Sequence, residues 1–160
     1  MNRDIRALIV LCVQGLLIIA ITAAPYAEHG KYTWGFEPFA IHKYVGLVFN
    51  VVGFTLLIFC LMAMKSNFVV QARPKKEGDL VTTGVFAKTR NPIYLAGLLM
   101  ALGWSVSFWS IYGMIFSMAL YQVLLIKISM EEKFLHEKFG EEYLAYKKTT
   151  PRLFPRLWSS

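Results

Sequence analysis

Residues 7–24 read ALIVLCVQGLLIIAITAA, an apolar run whose only strongly polar side chain is Gln14. A helix needs about 20 such residues to cross a bilayer. Three further stretches match it: 44–64, which holds Asn50, then 92–109 and 111–130. Backbone groups inside lipid must be bonded within the protein, so these runs are expected as helices. A membrane barrel would need alternating segments of about ten residues, and none occurs in the sequence. The expected fold is an all-α integral membrane protein, with residues 1–160 as one domain.

Composition agrees. Apolar residues make up 56 % of the 160 residues and charged ones 17 %, against roughly 45–50 % and 25 % in soluble domains. The mean hydropathy is +0.48. A small soluble enzyme and a disordered chain are both disfavoured. Cys12 and Cys60 sit inside apolar runs and are expected to be buried structural thiols rather than a disulfide framework. His29, His42 and His136 lie too far apart in sequence for a zinc motif, so no metal is expected. Arg3 and Arg6 ahead of the first run give it the look of a signal peptide. Its length, and Pro25 directly after it, favour a retained helix.

Basic residues orient the chain. Arg3 and Arg6 flank the first run, while only Lys31 and Lys43, set against Glu28 and Glu37, lie between the first and second. Residues 65–91 carry Lys65, Arg73, Lys75, Lys76, Lys88 and Arg90. The tail adds Lys133, Lys138, Lys147, Lys148, Arg152 and Arg156. Loops rich in Lys and Arg stay cytoplasmic, so both termini and the 65–91 connection are expected there, in a multi-pass protein of a bacterial inner membrane. Much of the formal +7 charge then faces anionic headgroups. No aromatic-lined basic groove suggests nucleic acid.

Around Ser110 only one or two residues separate the third and fourth runs, which predicts a tight antiparallel hairpin. Gly97, Gly103 and Gly113, with Ala96, Ala101 and Ser117, offer small surfaces for its close packing.

The polar chemistry gathers in two segments. In GDLVTTGVFAKTRNPIY, residues 78–94, Asn91 and Pro92 suit a helix start: Asn caps free N–H groups and Pro fits the first turn. Arg90 beside that start makes a ready site for a carboxylate or phosphate. In EEKFLHEKFGEEYLAY, residues 131–146, Leu135, Phe139, Tyr143 and Tyr146 recur at helical spacing. They predict an amphipathic helix on the membrane surface. Gly140 in its middle implies a kink or a close contact. Glu131 and Glu132 prolong the fourth run at the membrane border.

Taken together, Thr83-Gly84, Arg90-Asn91-Pro92-Ile93-Tyr94, the hairpin, Glu131-Glu132, Phe139-Gly140-x-x-Tyr143-x-x-Tyr146 and Pro151-Arg152-x-x-Pro155 resemble the isoprenylcysteine carboxyl methyltransferases. That family is akin to the phospholipid methyltransferases. The resemblance spans roughly residues 70–156. It implies an S-adenosylmethionine site built from about 78–97 and 127–156, opening to the cytosol, with a lateral gap for a lipid-like or prenylated acceptor. By that resemblance Arg90, Asn91, Pro92, Tyr94, Gly97, Glu131, Glu132, Tyr143 and Tyr146 hold the cofactor, and Arg90, Glu131 and Glu132 serve catalysis. The partners implied are membrane lipids and a hydrophobic methyl acceptor.

A sulfonium methyl is already activated, so the protein must mainly align the reactants and exclude water. A carboxylate acceptor needs no base, whereas an amine must first lose a proton. Glu131 or Glu132 could take that proton, stabilise the sulfonium or hold ribose hydroxyls, and Arg90 could pair with either reactant's carboxylate. The stripe 135–146 is expected to fold back as a lid, with its rings on the adenine and Pro151 and Pro155 ending the helix. Two rivals remain at this point: a nicotinamide-dependent reductase related to membrane sterol reductases, and a non-catalytic membrane module.

Overall fold

The computed structural model describes residues 3–29, 40–69 and 80–155. Lys31, Glu37, Arg73, Lys75, Lys76, Arg156 and the side chain of Lys65 fall outside them, as does the start of the first polar segment. The described residues are helical, without a strand. Helix α1 spans Arg3–His29 and α2 Ile41–Val69; α3 spans Pro92–Ser107, α4 Ile111–Phe139 and α5 Glu141–Thr149, with a 3-10 turn at Gly84–Ala87 before α3.

Among the described residues, three helices are long and apolar enough to cross a membrane: Asp4–His29, Ile41–Ala63 and Ile111–Phe139. The third expected span is shorter, because α3 has 16 residues, about 24 Å of rise against a hydrocarbon core of about 30 Å. It stops at Ser107 rather than 109, where the chain turns through Phe108 and Trp109, the latter at φ 53°. Other boundaries also move: α1 begins at Arg3, and α2 runs from Ile41 to Val69 rather than over 44–64. Helix α1 continues through the buried Pro25 to His29, since a proline removes one backbone donor without ending a helix whose neighbouring turns stay bonded. Helix α4 runs past residue 130 to Phe139, so Glu131 and Glu132 are helical.

Helix α3 packs on α2 and α4, and α1 lies along α4 and touches α3. Their seam is Ile21, Leu95, Leu98, Leu120, Leu124 and Ile128, closed at one end by Leu153 from the tail. The small residues serve two interfaces, not only the hairpin. A Cβ on Gly46 of α2 would stand 2.5 Å from the Gly103 carbonyl oxygen, so α2 and α3 approach backbone to backbone. Gly113 lies against Ser105 across the hairpin, where Ser105 and Ser117 share a buried 3.2 Å hydrogen bond. Gly97 packs against neither, and faces open space.

At the hairpin end Ser110 accepts a 3.0 Å bond from Gly113 N–H, capping α4. There Glu28, at the end of α1, accepts a 2.8 Å bond from Tyr112 N–H. The outer faces of α1 and α2 present Leu8, Leu16, Val48, Phe54 and other large apolar side chains, as a lipid-facing surface should. Cys60 is buried as expected, but Cys12 is exposed on the outer face of α1. An apolar environment of lipid accommodates a thiol as readily as a core does.

The stripe Leu135, Phe139, Tyr143, Tyr146 does not form one helix. Gly140, at φ 53°, ends α4 and begins α5, a backbone conformation that glycine adopts without steric cost. The break turns Tyr143 inward to 1 % exposure, while Leu135, Phe139 and Tyr146 stay only half-buried.

Candidate functional site

The segment before α3 is stitched to the tail after α5. Thr89, itself buried, donates to the Leu153 carbonyl at 2.7 Å. Arg90 N–H donates to the Pro151 carbonyl at 2.9 Å, and Asn91 Nδ2 to the Arg152 carbonyl at 2.8 Å. Nearby, the Tyr146 hydroxyl donates to the Phe86 carbonyl at 2.6 Å. Asn91 occupies the N-cap position and Pro92 the first turn, but the Asn91 side chain makes no cap bond. The expected Asn cap is therefore corrected: its amide is committed to the tail instead.

This seam positions a cationic cluster around one carboxylate. Glu132, on the buried stripe of α4, lies 3.0 Å from Arg90 Nη2, 3.6 Å from Arg152 Nε and 3.9 Å from Lys147 Nζ. Arg90 and Glu132 side chains are only 7 % and 10 % exposed. Ser129 accepts a short bond from Arg152 Nη2. The cluster borders a cleft of about 640 Å³, completed by Lys133, His136, Tyr143 and Leu144. Several buried polar atoms here lack an aligned hydrogen bond: Arg90 Nε, Glu132 Oε1, Arg152 Nε and the Tyr143 hydroxyl. Buried groups of this kind normally find partners, so the cleft has unused polar capacity. Burial, with the Glu132 carboxylate beside it, pushes the Tyr143 phenol up to about 12 despite Arg90 and Arg152. Burial likewise pushes Tyr146 up to about 12. Both rings are neutral at physiological pH.

The second carboxylate belongs elsewhere. Glu131 accepts a 2.5 Å hydrogen bond from the Tyr94 hydroxyl, so the hairpin does bring the start of α3 to the far part of α4. Tyr94 and Gly97 line a different, mostly apolar cavity of about 580 Å³ among α1, α2, α3 and α4. Tyr146 lines a third space, of about 500 Å³, with Thr82, Ala87 and Thr150. Of the residues expected at one pocket, Arg90, Glu132 and Tyr143 meet at the polar cleft. Asn91 is bonded to the Arg152 carbonyl and Pro92 is the buried first residue of α3; Tyr94 and Gly97 lie on the apolar cavity, and Glu131 joins it through the Tyr94 hydroxyl. Lys147, Ser129 and His136 were not expected at the cleft. Arg152 was legible only as part of the Pro-Arg-x-x-Pro segment.

The described residues thus form a membrane protein with a polar, mostly cationic cleft at Glu132 and a separate, mostly apolar cavity among its helices. The family model described as phospholipid methyltransferase matches residues 41–142, and the chain belongs to that family. It is similar to the protein-S-isoprenylcysteine O-methyltransferases of Mus musculus and Homo sapiens, each 34 % identical over 113 residues, covering 69 % of this chain and 40 % of theirs. It also resembles that of Schizosaccharomyces pombe, 28 % identical over 120 residues, covering 73 % of this chain and 51 % of that one. The chain thus spans about half or less of the length of these curated relatives.

Proposed function

We propose that this chain is an S-adenosylmethionine-dependent methyltransferase that modifies a lipid-like or prenylated acceptor at the cytoplasmic face of a membrane. The observation that carries the reading is the cleft around Glu132. Three cations converge there on one carboxylate, and Arg90 Nε, Arg152 Nε and the Tyr143 hydroxyl lack an aligned hydrogen bond. That donor and acceptor set fits a ligand carrying both a carboxylate and an ammonium group, as the methionine portion of the cofactor does. Arg90, with Lys147 and Arg152, would hold the carboxylate, and Glu132 the ammonium. Tyr143, kept neutral, offers a hydroxyl that can donate or accept.

When bound, the cofactor supplies a methyl group on a sulfonium, already activated for in-line displacement. The protein's work is then alignment and exclusion of water. Helix α5 contributes by placing the buried Tyr143 at the cleft, and the seam of residues 89–91 with 151–153 fixes the wall behind Arg90. The two neighbouring carboxylates divide their duties: Glu132 belongs to the donor side, and Glu131, bonded to Tyr94, to the acceptor side. An ionised carboxylate acceptor needs no base. An amine acceptor would have to give its proton to Glu131, the carboxylate next to the apolar cavity.

The Lys/Arg distribution supports a cytoplasmic site with both termini on that side, and residues 1–160 acting as one membrane unit. Incubating the purified chain in lipid extracts with methyl-labelled S-adenosylmethionine tests the activity. Label in a hydrophobic product, lost in Glu132→Gln, is the expected result. No transfer into any extract fraction, with the protein folded and the donor bound, would contradict it.

A further inference from the structure

The tail after α5 turns back along α4. Arg152 Nη2 donates to the Leu125 carbonyl at 3.4 Å and to the Ser129 hydroxyl, both within two turns of Glu132. Leu153 is 4 % exposed and joins the apolar cluster of Leu124 and Ile128. The Phe154 ring lies 6.3 Å from that of Tyr121, centre to centre. Successive tail residues thus meet α4 at points farther and farther from Glu132.

Distance along α4 measures depth. Glu28 and Gln14 of α1 meet Tyr112 and Lys127 of α4, 14 residues apart on one helix and 15 on the other, so the two run side by side. The hairpin end carries the exposed rings of Trp109 and Tyr112, which favour a membrane–water interface. From Ile111 a hydrocarbon layer of about 30 Å extends over about 20 residues of helix, close to Glu131. Tyr121 stands about 15 Å along, near the middle. A ring 6.3 Å from its own lies inside that layer whichever way the two side chains lean. Phe154 is nonetheless 58 % exposed, as is Met118, one turn from Tyr121, at 63 %.

Non-helical backbone at such depth is tolerated only where its polar groups are met. Here the carbonyls of Pro151, Arg152 and Leu153 each accept a bond from residues 89–91. Pro151 and Pro155 bring no N–H group. The Arg152 guanidinium is held by Leu125, Ser129 and Glu132. The side chains left exposed, Phe154 and Pro155, are apolar.

We propose that residues 151–155 are a membrane-embedded tail segment that seats Phe154 among lipid acyl chains beside Tyr121. A soluble partner does not reach that depth, and the ring continues the apolar surface that α4 already presents at Met118. This seat needs only the membrane orientation of α1 and α4 and does not depend on methyl transfer. Its consequence is that the bilayer helps to hold the wall of the polar cleft, since Arg152, set against Glu132, is two residues from the seated ring.

The test places a nitroxide on Phe154→Cys in the full chain, with Cys12 and Cys60 replaced by alanine, in phosphatidylcholine–phosphatidylglycerol vesicles. Paramagnetic resonance compares its collisions with oxygen, which concentrates in hydrocarbon, and with a water-soluble nickel chelate. The oxygen-to-nickel ratio is expected to match that of a label at the lipid-facing Leu16 and to exceed that at the exposed Lys148 by at least tenfold. A ratio like that at Lys148 overturns the proposal. So does dipolar broadening that disappears on dilution with unlabelled chain, which would put a second copy on this face. Wild type is read without substitution: a phospholipid carrying a photoactivated diazirine in mid-chain should leave its adduct on the tryptic peptide 153–156. Adducts on α1 with none on that peptide overturn the proposal even if the cysteine variant fails to fold.

Discussion

Thr89 and Leu153 are 64 residues apart in sequence and joined by a 2.7 Å hydrogen bond from a buried hydroxyl to a backbone carbonyl. That bond, with those of Arg90 and Asn91, makes the tail a wall of the cleft rather than an appendage. Thr89→Val removes the donor and leaves the Leu153 carbonyl unsatisfied, at a cost of about 1–3 kcal/mol. Thermal unfolding in detergent should show the loss. Deleting residues 143–160 removes Tyr143, Lys147 and Arg152 together, and should abolish donor binding while the long helices remain membrane-inserted. A truncated chain with wild-type donor affinity would make the tail only a surface anchor.

Gly140 separates α4 from α5 at φ 53°. Nothing lies within 4 Å of where its Cβ would be, so the cost of Gly140→Ala is purely one of backbone, about 1–3 kcal/mol at φ 53° and ψ −124°. Because the turn aims Tyr143 into the cleft, the variant should lose donor affinity by more than it loses stability. Comparing its melting temperature with its calorimetric affinity checks this. Unchanged affinity would mean that α5 finds its place without the turn.

Tyr143 and Tyr146 both have phenols pushed up to about 12 from an ordinary value of 10, chiefly by burial. Their neutral forms favour the folded state, so this contribution is complete below pH 10 and is lost as the pH rises toward 12. The melting temperature should fall across that window. Tyr143→Phe should flatten the fall relative to wild type, a comparison that cancels the titration of surface lysines. An equally steep decline in the variant would mean that the ring is not buried in the folded protein.

The orientation is open to single-cysteine labelling in a background with Cys12 and Cys60 replaced by alanine. Cysteines placed at His29 and at Lys148 should react with an impermeant maleimide from opposite sides of sealed vesicles. Labelling of both from one side would contradict the assignment of the site to the cytoplasm.

Much of this was legible in the sequence, for reasons that can be located. Long apolar runs have one solution in lipid, and Asn91-Pro92 marks the start of α3. The hairpin forces Tyr94 toward Glu131, and the 2.5 Å bond between them follows from that topology. The different surroundings of the two carboxylates were not legible. Glu131 and Glu132 are neighbours in sequence, but on a helix they project about 100° apart. One meets Tyr94 and the other Arg90, and only the packing of α4 decides which. The Asn91 side chain faced two competing partners, the free N–H groups of α3 and a tail carbonyl 61 residues away; local spacing favours the first and tertiary structure chose the second. The reading of 111–130 as a plain span passes over Lys127, although an ionisable residue inside an apolar run is itself a signal.

The central claim is that the cleft around Arg90 and Glu132 holds the methyl donor. Isothermal calorimetry of the detergent-purified chain with S-adenosylmethionine, run beside Arg90→Ala and Arg90→Lys, tests it most directly. Removing one member of a desolvated charge pair commonly costs about 2–5 kcal/mol. Wild type should therefore bind, Arg90→Ala should bind at least tenfold more weakly while still melting cooperatively, and Arg90→Lys should fall between. Equal affinity in wild type and Arg90→Ala would contradict the account and leave the Arg90–Glu132 pair with a purely structural role.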